Sequence, residues 1–288
     1  MGELLSPKVD FVFKRIFGAE ENQDVLISFL NAVFEDAGQP LIVSVEILNP
    51  FLDKDALSDK MSVLDVKART ESGMLVDVEI QLQNQQNMEK RALFYWSKLF
   101  QGQLQDGDSY HQLHKAVTVN VVDFNYLATN RYHSTFHLYD DTLGLMLTDL
   151  LEIHFIELRK LDAQWVGLER RLVRWMLFLT TKTREGLEAL AMQEPAAIHK
   201  ALTTLEFLSQ DKRARQLYEE RQKGLMTYKA NMEGAREEGR EQGREVGKHQ
   251  HALETAQKML GAGLEVPQVA EFVGLSVDEV EAIRRSLN

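Results

Sequence analysis

The chain has 288 residues, of which 44% are hydrophobic and 27% are charged, a composition typical of folded globular proteins. It contains no cysteine, which excludes a disulfide scaffold, a thiolate zinc site and a cysteine nucleophile, and which agrees with a reducing, cytoplasmic location. The formal net charge is −11, whereas proteins that bind nucleic acids are more often basic. Any contact with phosphate must therefore depend on a local cationic surface.

The sequence predicts neither a membrane-spanning helix nor a secretory signal. No apolar run approaches the roughly 18 residues that a spanning helix needs. The first residues, 1–7, lack a basic segment followed by an apolar core. We therefore expect no membrane partner.

Two amphipathic helices are predicted before the first strand. Ser6 is placed to cap the first helix, with Pro7 in its first turn and Gly18 at its end. The second helix is predicted over residues 22–35, where apolar side chains recur on one face. After a break at residues 38–40, the apolar pattern of residues 42–48 predicts a strand.

A hairpin follows, with strands predicted over residues 61–69 and 74–82 and a tight turn that ends at Gly73. Side chains alternate along a strand, so Asp77, Glu79 and Gln81 must project together from one face of the second strand. Further along, the patterns predict a helix over residues 88–105 and strands over 114–123, 133–139 and 151–158. This order predicts an α/β fold in which a mixed sheet is flanked by helices.

The chain becomes all-helical after residue 160. We predict a helical extension over residues 161–222, because apolar side chains recur there at helical spacing. A small module that resembles a helix-turn-helix is predicted over residues 249–288, with Gly274 at the turn and Ser276 as the next cap. Acidic residues in this module favour contact with a protein partner over tight contact with DNA.

The intervening tract, residues 223–248, is rich in glycine, arginine and glutamate and allows two interpretations. In a helix, its spaced glycines form a narrow stripe that another helix can approach closely. Each glycine costs about 1 kcal/mol against alanine, while each i,i+4 pair of Glu and Arg returns only about 0.2–0.5 kcal/mol. The tract is therefore either a marginal helix that orders on oligomerisation or a flexible charged linker.

The carboxylates of the hairpin are the strongest candidates for chemistry. Asp65 and Glu79 stand on neighbouring predicted strands and project from the same face. Mg²⁺ prefers hard oxygen ligands, usually one or two carboxylates with water, and a bound metal ion lowers the pKa of water for phosphodiester hydrolysis. On the polar pattern alone, a solvent-exposed sheet face, which is polar by default, is the more ordinary interpretation.

The order of several short motifs resembles a known family. The segment DVKA at residues 65–68, a turn at Gly73 and VDVEIQ at residues 76–81 resemble the active site of the PD-(D/E)XK nucleases. More narrowly, the chain is similar to the recombination-promoting nuclease (Rpn) family, also described as transposases. The motifs that carry this second resemblance are DFVFK at residues 10–14, FLNA at 29–32, RALFYW at 91–96 and HFIEL at 154–158. Tyr110 and the Gly-Arg-Glu repeat agree with it as well. The resemblance covers residues 6–160 well and the tail in style only.

The resemblance implies a restriction-endonuclease-like domain over residues 1–160 that acts as a Mg²⁺-dependent DNA endonuclease. Asp65 and Glu79 would be its metal ligands, with Mn²⁺ or Ca²⁺ as alternatives to Mg²⁺. Gln81 stands where the wider superfamily has lysine; glutamine can orient a water molecule but carries no positive charge. The narrower family itself tends to have glutamine there, so the resemblance implies a variant catalytic site. Asp10 would add a further acidic group from the first helix, unless it is an ordinary helix-surface carboxylate.

Three cations are candidate phosphate contacts, because charge-assisted hydrogen bonds to phosphate favour such groups. For each alone, an ordinary surface cation is the alternative. They are Lys14, Lys67 and Arg91.

The resulting hypothesis is a DNA endonuclease that promotes recombination or acts in DNA mobility or defence. We expect a homodimer or higher homo-oligomer, since cutting both strands is simplest with two copies of the site. Two alternatives remain: a catalytically decayed nuclease fold that binds DNA or protein, and a transcription-factor-like role for the C-terminal module.

Overall fold

The computed structural model describes residues 3–49, 66–84, 86–161, 167–193 and 196–287. The chain divides into two compact units, residues 1–219 and 220–288. Across the described ranges, no helix is long and apolar enough to cross a membrane.

The described part of the first unit contains a sheet of six strands in the order β1-β2-β3-β4-β6-β5. Parallel pairing joins β3 to β4 and β4 to β6, and the other neighbours are antiparallel. The predicted mixed sheet is thus confirmed. The strands are β1 (Val45–Ile47), β2 (Val66–Thr70), β3 (Leu75–Gln81), β4 (Ala116–Val122), β5 (His133–Tyr139) and β6 (Met146–Glu157). Of the strand predicted over residues 61–69, the first part lies outside the described residues.

Helices cover both faces of the sheet. The helices of this unit are α1 (Asp10–Phe17), α2 (Gln23–Asp36), α3 (Met88–Gln101), α4 (Arg171–Thr180), α5 (Arg184–Gln193) and α6 (Ala197–Gln210). On one face, α1, α2, α4, α5 and α6 pack with Val76 and Val78 into the main core. On the other face, Met88 and Ala92 of α3 pack against Val122 and Phe155 in a smaller core.

The main core is built around an aromatic cluster. The ring of Trp175, on α4, lies 5.3 Å from that of Phe17 and 6.0 Å from that of Phe29 (centroid to centroid). Such ring pairs contribute about 0.5–1.5 kcal/mol beyond the area they bury. The helical residues after 160 therefore take part in the core that supports the sheet.

The first helix begins later than predicted, and the expectation that Ser6 caps it is wrong. The helix begins at Asp10, after Val9, and has no side-chain cap. The Ser6 carbonyl instead accepts a hydrogen bond from the Val9 N–H at 3.2 Å, which closes a turn at Pro7 and Lys8. Gly18 ends the helix as predicted, and a Cβ there would lie 2.8 Å from the Lys14 carbonyl oxygen.

The second unit is helical in its described residues. Helix α7 (Lys212–Gly261) begins in the first unit and continues through the whole Gly/Arg/Glu tract, in agreement with the helical interpretation of that tract. Helices α8 (Val266–Val273) and α9 (Val277–Leu287) follow. Gly274 between them has a φ of 71°, as its predicted turn position requires. Ser276 caps α9: its hydroxyl accepts from the Glu279 N–H at 3.3 Å, and Glu279 Oε2 accepts from the Ser276 N–H at 2.8 Å.

Candidate active site

Strand β3 presents two chemically different faces, as its alternation predicted. Val76, Val78 and Ile80 enter the main core. Glu79 and its neighbours Asp77 and Gln81 project from the opposite face, which α3 covers. In the antiparallel register with β2, Lys67 pairs with Asp77, so this predicted phosphate contact shares the Glu79 face.

Asp65, the predicted partner of Glu79, lies outside the described residues. It directly precedes Val66 in the sequence. The register partner of Val66 is Val78, the residue before Glu79.

Glu79 forms an ion pair with Arg91. The glutamate is 8% exposed. Arg91, on α3, donates to Glu79 Oε1 through Nε at 2.9 Å and also through Nη2. The guanidinium carbon of Arg91 lies 5.0 Å from the centroid of the Tyr95 ring, one helical turn further on. The structure thus brings two of the predicted site residues, Glu79 and Arg91, into direct contact.

Gln81 lies at the carboxyl end of β3 beside groups that the sequence analysis did not select. Its Nε2 donates to the Gln83 carbonyl oxygen at 3.3 Å, and its own carbonyl accepts from the Asp123 N–H at 3.0 Å. Asp123 forms an ion pair with Lys8 at 2.7 Å and lies 3.8 Å from Arg159 Nε. The signal for Asp123 was available: it is the carboxylate that ends the strand predicted over residues 114–123.

Asp10 and Lys14 belong to α1, on the opposite side of the sheet from Glu79. Asp10 is the first residue of this helix, and its Oδ1 accepts from the Phe11 N–H at 2.8 Å, a position where a carboxylate stabilises the helix dipole. Lys14 follows one turn later and is 8% exposed. Two residues before α1, Lys8 meets Asp123 at the carboxyl-terminal end of β4, a central strand.

A buried polar network occupies the α2 side of β5 and β6. Glu152, on β6, is fully buried, and its Oε1 accepts from His154 Nε2 at 2.6 Å. Burial by itself would raise the pKa of Glu152, but the hydrogen bonds and charges around it outweigh burial and hold this pKa well below its usual range. Oε2 accepts from Lys115 at 2.8 Å, His137 at 2.7 Å and Gln39 at 2.5 Å.

The network continues through two histidines to α2. His154 Nδ1 lies 2.9 Å from His133 Nε2, and His133 Nδ1 lies 2.8 Å from Asp36 Oδ2. Burial holds the pKa of His154 below its usual value. Burial would raise the pKa of Asp36, but hydrogen bonds from His133 and Tyr132 outweigh it and lower this pKa. The network joins β5, β6 and α2. His154, the first residue of the HFIEL motif, is one of its members.

Glu79 and Gln81 offer donor atoms of the kind that a hard divalent cation prefers, although they are only two. Within the described ranges, no group of three or more His, Cys, Asp or Glu residues could hold a metal ion. Glu79 supplies a carboxylate and Gln81 an amide oxygen on the same face of β3, and both are ligand types that Mg²⁺ accepts. The chain's own donor chemistry is therefore compatible with the metal ions that such a site would use.

A mixed sheet flanked by helices, with acidic side chains on one face of a hairpin strand, is consistent with the PD-(D/E)XK nuclease fold. The family model described as "PD-(D/E)XK nuclease family transposase" matches residues 7–235, and the chain belongs to this family. The resemblance noted from the motifs is thereby confirmed. No curated protein and no solved structure matched the chain. Membership supports a nuclease-like function, in a family whose members typically use divalent metal ions.

Proposed function

We propose that the protein is a metal-dependent DNA endonuclease that hydrolyses phosphodiester bonds and acts in recombination, DNA mobility or defence. The observation that carries the proposal is the nearly buried Glu79 carboxylate on β3 of a PD-(D/E)XK family chain, with Gln81 on the same face. The proposal includes a cytoplasmic homodimer or higher homo-oligomer, since two copies of the site suffice to cut both strands.

Asp65 and Glu79 would hold the cation, Mg²⁺ in the first instance and Mn²⁺ or Ca²⁺ as alternatives. The register supports this pairing, because Val66 and Val78, the strand partners, are the sequence neighbours of Asp65 and Glu79. When bound, a divalent cation lowers the pKa of water and neutralises charge on the phosphate.

The remaining steps fall to side chains of the chain. Gln81 would orient the attacking water through its amide, whose Nε2 is held by the Gln83 carbonyl. The water oxygen forms a bond to phosphorus, an ester P–O bond breaks, the water loses a proton and the leaving oxygen gains one. Asp10 would assist from α1, which begins two residues after Lys8, the partner of Asp123 at the carboxyl-terminal end of β4. Lys14, Lys67 and Arg91 would contact phosphates.

The Arg91–Glu79 ion pair also supports a second candidate function. An arginine that neutralises the chief carboxylate of the site suits a nuclease fold that binds DNA or protein without cutting. The absence of lysine at Gln81 points the same way. In that case the C-terminal helices α8 and α9 would supply a protein-binding surface.

The test is cleavage of supercoiled plasmid by the full chain with Mg²⁺ and with EDTA. We expect nicking with Mg²⁺ only, and its loss in Glu79→Gln, which keeps the size of the side chain, and in Asp65→Asn. Glu185→Gln is the matched control: it removes an exposed carboxylate from α5, on the other side of the sheet, and should cut like the wild type. If folded wild-type protein cuts no DNA with any of several metal ions and salt concentrations, the nuclease proposal is wrong and the binding function replaces it.

A further inference from the structure

A groove of about 720 Å³ lies on the Glu79 side of the sheet, between the β2–β3 hairpin and the C-terminal end of α3. Its charged lining consists of Lys67, Arg69 and Lys98, and none of the described lining residues is acidic. His114 and Gln103 complete its polar wall; Gln103 holds the His114 backbone through both its amide atoms, at 2.8 and 3.0 Å. In a chain of net charge −11, this is a local cationic surface.

The groove leads away from the candidate active site. Lys67 pairs with Asp77 on β3, which lies two residues before Glu79 and on the same face of the strand. Along α3, Lys98 follows Arg91 by about two helical turns on the same side, a rise of about 10 Å. A polymer whose phosphate contacted Arg91 beside Glu79 would therefore continue past Lys98.

An exposed aromatic ring adjoins the groove. Phe94 is 54% exposed, and Lys98 Nζ lies 4.4 Å from the centroid of its ring. One turn closer to Glu79, Arg91 lies over the ring of Tyr95. Cations thus alternate with rings along one side of α3, the arrangement by which proteins bind single strands: phosphates meet cations and unpaired bases stack on rings. A duplex has its base faces covered and cannot use the rings.

We propose that this groove binds a single strand of DNA next to the scissile phosphate, with Lys67, Arg69 and Lys98 on its phosphates and a base stacked on Phe94. The proposal rests on the nuclease function proposed above. Arg69 lies 3.4 Å from Glu46, but both side chains are more than half exposed. Exposed ion pairs of this kind are weak, so a phosphate can replace the carboxylate.

The proposal is tested by fluorescence anisotropy with a labelled DNA strand of about 15 nucleotides, long enough to fill a typical single-strand site. The full chain is titrated in EDTA, so that no cleavage occurs, against the single strand and against a duplex of the same sequence. We expect tighter binding of the single strand. Lys98→Ala and Arg69→Ala should each weaken it several-fold and reduce the slope of log K against log salt by about 0.7.

Phe94→Leu separates stacking from charge. It should weaken single-strand binding by about fivefold or more, since base stacking on one ring contributes that much, and leave duplex binding and the salt slope unchanged. Lys182→Ala, an exposed cation between α4 and α5 on the other side of the sheet, is the charge-matched control and should have little effect.

Equal affinity for single strand and duplex would overturn the proposal, and so would an equal loss of affinity in Lys182→Ala and Lys98→Ala. Its failure is distinguishable from failure of the nuclease function. Binding is measured without metal, and Glu79→Gln, which should abolish cleavage, should still bind the single strand.

Discussion

The guanidinium of Arg91 donates to a single oxygen of Glu79, through both Nε and Nη2. Glu79 is nearly buried, and a carboxylate there needs a charged partner because desolvation penalises its ionised form. Gln81 supplies no positive charge to the site. Helix α3 does, from outside the strands that carry the family motif.

This pairing predicts a strong energetic coupling. Arg91→Ala should destabilise the metal-free protein by about 2 kcal/mol, because the carboxylate of Glu79 loses its cation. The double variant Arg91→Ala/Glu79→Gln should be clearly more stable than the sum of the two single changes implies. Urea unfolding of the four proteins in EDTA gives the coupling free energy, and additive effects would mean that the two side chains do not stabilise each other.

The network around Glu152 predicts acid sensitivity. The folded-state pKa of Glu152 lies below the ordinary value of 4.5, so the charged side chain stabilises the fold above pH 4.5 and this contribution is lost as the pH falls further. Glu152→Gln should cost about 3 kcal/mol at pH 7. The difference in unfolding free energy between Glu152→Gln and the wild type should become smaller below pH 4.5.

His154 adds to this effect with the same sign. Burial lowers its pKa from 6.5. Between the folded-state pKa and pH 6.5, the unfolded chain therefore binds a proton that the folded chain does not. The free energy of unfolding decreases as the pH is lowered through this range. Urea midpoints measured from pH 7 to about pH 4 should decline in the wild type from the ordinary histidine pKa downwards. A flat profile over this range would contradict the buried network.

The hairpin that carries Glu79 depends on Gly73. Its φ of 82° lies in the left-handed region, and an added Cβ would lie 2.6 Å from the His114 ring. Gly73→Ala should therefore destabilise the protein by about 2–3 kcal/mol, the backbone strain plus the clash. Gly38→Ala is the matched control: φ is also positive, at 70°, but nothing lies within 4 Å, so only about 1 kcal/mol is expected. Thermal unfolding of both variants compares them, and equal losses would rule out the contact with His114.

Replacing glycines of α7 by alanine should stabilise the protein, in contrast to the replacement of Gly73. A Cβ on Gly239 or Gly243 would meet no atom within 4 Å. Alanine at both positions should raise helicity and stabilise this helix by about 1 kcal/mol per site. Circular dichroism during thermal unfolding measures the gain. If the glycine stripe instead contacts a second copy, the same variant should lose its oligomeric state in light scattering, and its stability should fall.

The architecture was predictable where the pattern is local. Period-two alternation sorts Val78 from Glu79, and the structure places them on opposite faces of β3. The cap at Ser276 was predictable for the same reason, because Ser276 and Glu279, three residues apart, exchange hydrogen bonds at the start of α9. The cap at Ser6 failed because a capping residue also requires the helix to begin directly after it, and here a turn intervenes.

The site was predictable only in part. Glu79 and Arg91 were selected separately, but their contact depends on how α3 rotates over the sheet, which no local spacing specifies. The histidines of the buried network lie on β5 and β6, and Asp36 lies on α2. Their contacts follow from strand register and from the packing of α2, neither of which single-residue patterns encode.

The sheet separates two kinds of selective constraint. Under the proposed function, the groups on the α3 side answer to substrate chemistry, whereas the histidine and carboxylate network on the α2 side joins β5, β6 and α2 and has no part in the proposed reaction. A lineage that lost the proposed catalysis through joint changes at Glu79 and Arg91 could keep an intact domain for another use. Substitutions in the network on the α2 side are less tolerable, because they would destabilise the fold and so remove any function that depends on it.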